Sequence, residues 1–280
     1  MHPPTPLHLL HWLFPALYFF CAAAPLSLSA EELDDLQTPV PMWSVTYPDG
    51  EELLELVRSS LPAVPLQLEA ELRVRAPRID NEPVGRAEVL MWFTDGVGEA
   101  RYTVRDWFGN EEEELTVIRE WNAPPRYTFR TGSPLEEAPL PDLTDAIRQT
   151  DLTWGDLTLS FLWWPGARTV GQQSVRGRRC YIVEVPAPSD DFEALSQVRI
   201  WIDPSIGMLL RAQSFDADGS RLRTMDARRF RKIDDMWMVS NLEIAQHGGR
   251  QRTSLLIHHL SIKEIDAGGT LTADQHDTRL

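Results

Sequence analysis

The sequence predicts a mainly β, α+β fold: one long antiparallel sheet curling toward a barrel, with a few helices against it. Runs of alternating apolar and polar residues recur along the chain, joined by short turn sequences. An apolar segment, Trp154 to Trp164, interrupts them and stops at Pro165-Gly166, which suits a cover over an apolar interior better than another inner strand. No composition break divides residues 49–262, so a single domain over 49–266 is expected.

Residues Trp12 to Ala24 are apolar but too few to span a bilayer, and Pro25, Ser27, Ser29 and Ala30 follow. That order reads as a secretory signal peptide over 1–30, cleaved near Ser29 or Ala30, so the mature chain is expected to be exported. The leader holds His2 and His8 but no Lys or Arg, so an uncleaved signal-anchor is the competing reading. Cys21 follows Phe19 and Phe20, not the small residue expected before a lipidated cysteine. Cleavage leaves Cys180 alone, so stability must come from a hydrophobic core and not from an internal disulfide.

Because residues 1–30 contain no Asp, Glu, Lys or Arg, the formal charge of -15 belongs to the mature part. An acidic surface repels phosphate backbones, and no basic patch interleaved with aromatics offsets it; nucleic acid is not an expected partner.

Residues 31–48, with Glu31, Glu32, Asp34, Asp35 and three prolines, suit an extended linker. Asp49 then caps a helix with Glu51 and Glu52 in its first turn and Leu53, Leu54, Leu56 and Val57 along it, ending near Pro62. From Leu66 the period becomes two. Leu66, Leu68, Ala70, Leu72 and Val74 alternate with polar residues. A second strand spans Ala87 to Phe93, with Leu90 and Trp92 on its other face, and a third spans Ala100 to Val104. Gly109-Asn110 turns into a fourth around Leu115 and Val117, and Tyr127 and Phe129 mark a fifth. The proline-rich stretch 132–150 holds a short helical piece, Leu143 to Ile147.

The cover segment is ambiguous by spacing. Trp154, Leu157, Phe161 and Trp164 have helical spacing, whereas Leu157, Leu159, Phe161 and Trp163 alternate equally well. Asp151 as cap and Pro165 as stop favour one helix. Beyond it, strands around 179–185, 197–203, 207–215, 222–232, 237–244 and 255–262 are joined at Asp203-Pro204, Asp218-Gly219, Asp234-Asp235 and Gly248-Gly249. Residues 267–280 read as a disordered tail.

The segment opening at Asp151-Leu152 leads to Gly177-Arg178-Arg179-Cys180-Tyr181-Ile182-Val183-Glu184, then Val198-Arg199-Ile200-Trp201-Ile202-Asp203, then Lys232-Ile233-Asp234-Asp235-Met236-Trp237. Together these resemble the outer-membrane lipoprotein-sorting family, the periplasmic LolA/LolB-like proteins, most closely over 151–245. The resemblance implies an incomplete antiparallel β-barrel whose helices cover an apolar cavity that accepts acyl chains. Its motifs are turns and strand patterns, which specify fold better than function. An arginine helps hold the helical lid in that family; no residue here is matched to it.

Chemistry-bearing residues are sparse. His258 and His259 point to opposite faces of a strand and cannot share a metal, and Asp216-Ala217-Asp218-Gly219 lacks the rest of a calcium loop. Ser174 has the wrong glycine spacing for a nucleophile elbow, and Cys180 has no histidine nearby in sequence. The chain is therefore expected to be neither an enzyme nor a binder of metal or cofactor. Leu72, Met91, Tyr102, Trp154, Leu157, Phe161 and Trp164 are the candidate cavity-lining residues, the last four on one face of the covering helix. The basic run Arg221, Arg223, Arg228, Arg229, Arg231 and Lys232 reads either as a solvated strand face or as a docking patch for anionic headgroups or an acidic partner.

Two functions are then expected to compete. One is a monomeric periplasmic carrier of lipid or lipoprotein acyl chains to the outer membrane, working with a membrane transport partner. The other is a non-catalytic envelope interaction module with a filled core, serving an exporter or outer-membrane assembly. An open apolar interior separates them.

Overall fold

The computed structural model describes residues 46–280 apart from 62–63, 95–96, 111, 121–122, 189–193, 234–235, 266–270 and 280; for 93–94, 233, 236, 264–265 and 271–279 it describes the backbone alone. The leader expected in 1–30, most of the linker 31–48 and the turn at 234–235 lie outside the described residues. Tyr47–Leu280 is one of two contact-defined units; the other, Met1–Thr46, is almost wholly outside them.

Asp49 caps helix α1 (Gly50–Ser59) as its sequence position requires, its carboxylate accepting from the backbone N–H groups of Glu51 and Glu52. Leu53, Leu54 and Val57 form the buried stripe. A first meander follows: β1 (Leu66–Ala76), β2 (Ile79–Thr94), β3 (Val97–Asp106), β4 (Glu112–Glu120), β5 (Arg126–Thr131) and the short β6 (Glu136–Ala138). After the cover segment a second meander runs β7 (Arg168–Val175), β8 (Arg178–Pro186), β9 (Gln197–Asp203), β10 (Met208–Phe215), β11 (Arg221–Ile233), β12 (Met236–Gln246) and β13 (Arg252–Ile265).

The meanders join where β1 pairs antiparallel with β13, from Leu66↔Ile262 to Arg75↔Arg252. The sheet order is therefore β6-β5-β4-β3-β2-β1-β13-β12-β11-β10-β9-β8-β7. Its end strands, β6 and β7, do not meet: the sheet is a curled, incomplete antiparallel barrel. Leu72, Val104, Leu115, Ile200, Ile202 and Ile244 on its inner face are essentially inaccessible to solvent and form one core with α1 and the cover segment.

Three expectations are corrected here. The cover is not one helix. Residues Trp154–Leu157 form a single turn, α2, and Ser160–Trp163 a 3-10 turn, separated by Leu159 in the left-handed region at φ 49°. Its cap is Thr153, in a reciprocal capping box with Asp156. Asp151 is instead buried; Thr253 Oγ1 accepts from its backbone N–H at 2.7 Å and donates to its carboxylate at 3.2 Å. Second, Leu143 to Ile147 form turns ending in an isolated bridge, Ala146↔Thr153. Pro139 and Pro141 upstream and Arg148 at φ 53° leave too few residues to nucleate a helix. Third, residues 271–279 are a strand, β14 (Leu271–Arg279), and not a disordered tail. Strand β12 pairs with β13 only from Asn241↔Leu256 to Ile244↔Thr253. Splaying leaves the far end of β13 with a free edge, which β14 takes from His259↔Arg279 to Ile265↔Leu271.

One close approach fixes α1. A Cβ at Gly50 would lie 2.6 Å from the backbone carbonyl of Ala167, and Glu51 Oε1 accepts from the N–H groups of Gly166 and Ala167 at 2.9 and 3.0 Å. Gly50→Ala should push the helix off this contact and lower stability by about 1–3 kcal/mol, as overpacking does. Thermal unfolding checks this; an unchanged midpoint would show that the backbone yields there.

Candidate functional site

Strand alternation sends one apolar stripe of each strand to the concave face, and the cover is too short and too bent to fill that face. A cavity of about 630 Å³ remains between them. On the first meander it is bounded by Leu68, Ala70, Val89, Met91, Ala100 and Tyr102, and on the second by Met225, Ala227, Leu242, Leu255 and Ile257. Leu152, Leu157, Leu159, Leu162 and Trp163 of the cover close one side, with Val57 and Leu61 at the end of α1. Small side chains make the room: Ala100 stands between Met91 and Val117, and Gly98 directly opposite Arg119. The volume falls in the range of about 300–1,000 Å³ usual for small-molecule sites.

Of the sequence-expected lining residues, Met91, Tyr102 and Leu157 border this cavity. Leu72, Trp154, Phe161 and Trp164 do not; they are buried in the packed core. Trp154 stacks edge-on against Phe129 at 5.7 Å and Phe161 against Trp164 at 6.4 Å. Phe161 and Trp164 border a space of about 20 Å³, room for one water. For the cover residues the physical reason is the break at Leu159: the segment is two short turns, so Trp154, Leu157, Phe161 and Trp164 do not line up along one continuous helix.

The cover is tied down by charge. Arg223 on β11 points inward and pairs with Asp156 of α2 at 3.1 Å, both side chains largely buried. Arg58 donates to the carbonyl of Leu162 at 2.8 Å. Arg119 on β4 lies with its guanidinium 4.1 Å from the Trp163 ring centroid. Burial draws the Arg119 guanidinium below its ordinary value, and burial likewise raises the Tyr102 phenol beside it.

The basic run is not one patch. Arg223 is committed to the interior, and β11 shifts register between Ala227 and Arg229 and again before Phe230, re-aiming the residues beyond. Arg228 pairs with Glu243, and the Arg221 guanidinium reaches His247 Nδ1 at 2.9 Å. Arg229, Arg231 and Lys232 remain exposed. Elsewhere, Cys180 sits in a satellite cluster with Val175, Trp201, Met208 and Leu210, and burial pushes its thiol up to about 11, an inert small hydrophobe at neutral pH. Among the described residues, no cluster of three His, Cys, Asp or Glu could hold a metal, and no helix is long and apolar enough to cross a membrane.

This architecture has solved counterparts. A DUF1329 family protein from Desulfovibrio piger superposes with a TM-score of 0.64 at 16% identity, over 79% of this chain and 93% of that one. An outer membrane lipoprotein-sorting protein domain from Vibrio parahaemolyticus gives 0.63 at 10%, over 76% and 92%, and a LolA superfamily protein from Nitrosomonas europaea 0.60 at 12%, over 80% and 98%. The fold is LolA-like. In sequence, a family model described as an uncharacterized protein matches residues 139–268, the cover and the second meander of this LolA-like fold. No curated protein matches.

Proposed function

We propose that the chain is a non-catalytic periplasmic carrier, exported by its leader, that holds lipid or lipoprotein acyl chains in transit to the outer membrane. The observation that carries this reading is the apolar cavity of about 630 Å³ under the cover. Kinship of fold with a lipoprotein-sorting domain supports it. Each methylene moved from water into such a space contributes about 0.8 kcal/mol, so an acyl chain binds without a catalytic group. The open interior favours a carrier over an interaction module with a filled core.

The test is to fill the space. Ala100→Phe aims a ring into the cavity from β3, displacing two or more methylenes of ligand, and should weaken a fluorescent acyl probe by roughly tenfold or more. Thermal stability should hold, since the ring enters empty apolar space. Native mass spectrometry of the wild-type protein should find co-purifying lipid. A lipid-free protein whose probe affinity ignores Ala100→Phe would sink the carrier reading.

A further inference from the structure

Among the described residues, four charged side chains border the cavity: Glu99, Arg119, Asp156 and Arg211. Three have opposite charges at hand. Glu99 faces Arg101 at 4.0 Å, Asp156 faces Arg223 at 3.1 Å, and Arg211 faces Asp226 at 2.7 Å. Arg119 has no carboxylate partner among the described residues; the ionisable groups acting on it are the phenols of Tyr102 and Tyr127, with Tyr102 close enough to share a hydrogen bond. Its Nε is wholly buried and has no hydrogen-bond partner.

The placement is a product of the strand. Leu115, Val117 and Arg119 share one phase of β4, so the guanidinium is delivered to the inner face, where the other two are fully buried. The cross-strand residue is Gly98, which has no side chain to fill the space beside it. On its remaining side is the Trp163 ring. A cation on an apolar wall, short of hydrogen-bond partners, is costly unless something brings it an anion. A guanidinium presents its donors in a planar fork that matches carboxylate and phosphate oxygens.

The geometry points to an anion subsite inside the cavity: Arg119 receives the negatively charged oxygens at the head of an acyl-chain ligand whose tail lies along the apolar walls. This rests on the carrier reading and narrows it to ligands with a carboxylate or phosphate head within reach of the acyl chain. A neutral diacyl ligand would leave the cation unanswered. Tyr102, which borders the same cavity, supplies a hydroxyl beside the head.

The test compares three ligands of equal tail, dodecanoate, dodecyl phosphate and dodecanol, displacing a neutral naphthylamine probe from the wild-type protein, Arg119→Met and Arg119→Lys. In the wild type at least one charged ligand should win over dodecanol by about tenfold or more, as a charge-assisted hydrogen bond out of water provides. Which one wins decides between a carboxylate and a phosphate head. Arg119→Met should bring the three ligands level, and Arg119→Lys should keep part of the preference. If Arg119 only clamps Trp163, its loss changes all three affinities by one factor and the preference survives, which overturns the subsite. Equal binding of all three by the wild type overturns it too, with no variant needed, yet leaves the carrier reading intact. If neither probe nor any ligand binds, the carrier reading itself fails.

Discussion

Phe161→Ala should remove about 3–5 kcal/mol of folding stability, the cost of an aromatic-to-alanine change in a packed core. Phe161 is 3% exposed and in edge contact with Trp164. The groups around it, Leu143, Val198 and Ala212, come from three different parts of the chain, so they cannot all collapse into the vacated volume. The residue does not border the large cavity, so the folded fraction should keep its affinity for an acyl probe. Urea unfolding read beside probe titration checks both halves. Near-native stability with lost binding would move Phe161 back to the ligand and contradict the packing described here.

That residue also shows where sequence reasoning reached its limit. The strands were legible because the period of two is local: Leu66, Leu68, Ala70, Leu72 and Val74 declare their face without help from the rest of the chain. Turns at Gly109-Asn110, Asp218-Gly219 and Gly248-Gly249 and the Asp49 cap were equally local. The layer spacing was not. Leu68 and Leu72 occupy the same phase of β1, yet Leu68 borders the cavity and Leu72 lies in the packed core, a difference the strand's own period does not carry. The break at Leu159 had no signal, since leucine seldom takes the left-handed region. Two signals were present and unused. Thr153 with Asp156 three residues on is a readable capping box. Arg119 and Arg223 stand at the apolar phase of their strands, beside Val117 and Met225. What the sequence could not reveal is that Asp156 neutralises one of them and nothing described neutralises the other. The polar edge strand β7, mostly exposed, carries little apolar periodicity to find.

Asp156→Leu should be the other costly change, at about 3–5 kcal/mol. Its carboxylate answers Arg223 with both side chains only 13–14% exposed, and it accepts from the Thr153 backbone N–H in the capping box. Removal strands a guanidinium in the interior and breaks the return bond of the capping box, while Thr153 still caps α2. The penalty belongs mainly to the orphaned charge, so removing the partner as well should recover most of it. Asp156→Leu/Arg223→Met replaces the whole pair with apolar groups of similar volume, an exchange that is often neutral or stabilising. The double variant is therefore expected above either single one in urea midpoint, short of wild type by the lost bond to the Thr153 N–H. Amide exchange across 153–163 should quicken in Asp156→Leu and return toward wild type in the double variant, because the same pair anchors the cover to β11. A double variant as unstable as Asp156→Leu would show that the carboxylate's bond to the Thr153 N–H, and not the ion pair, holds the cover in place.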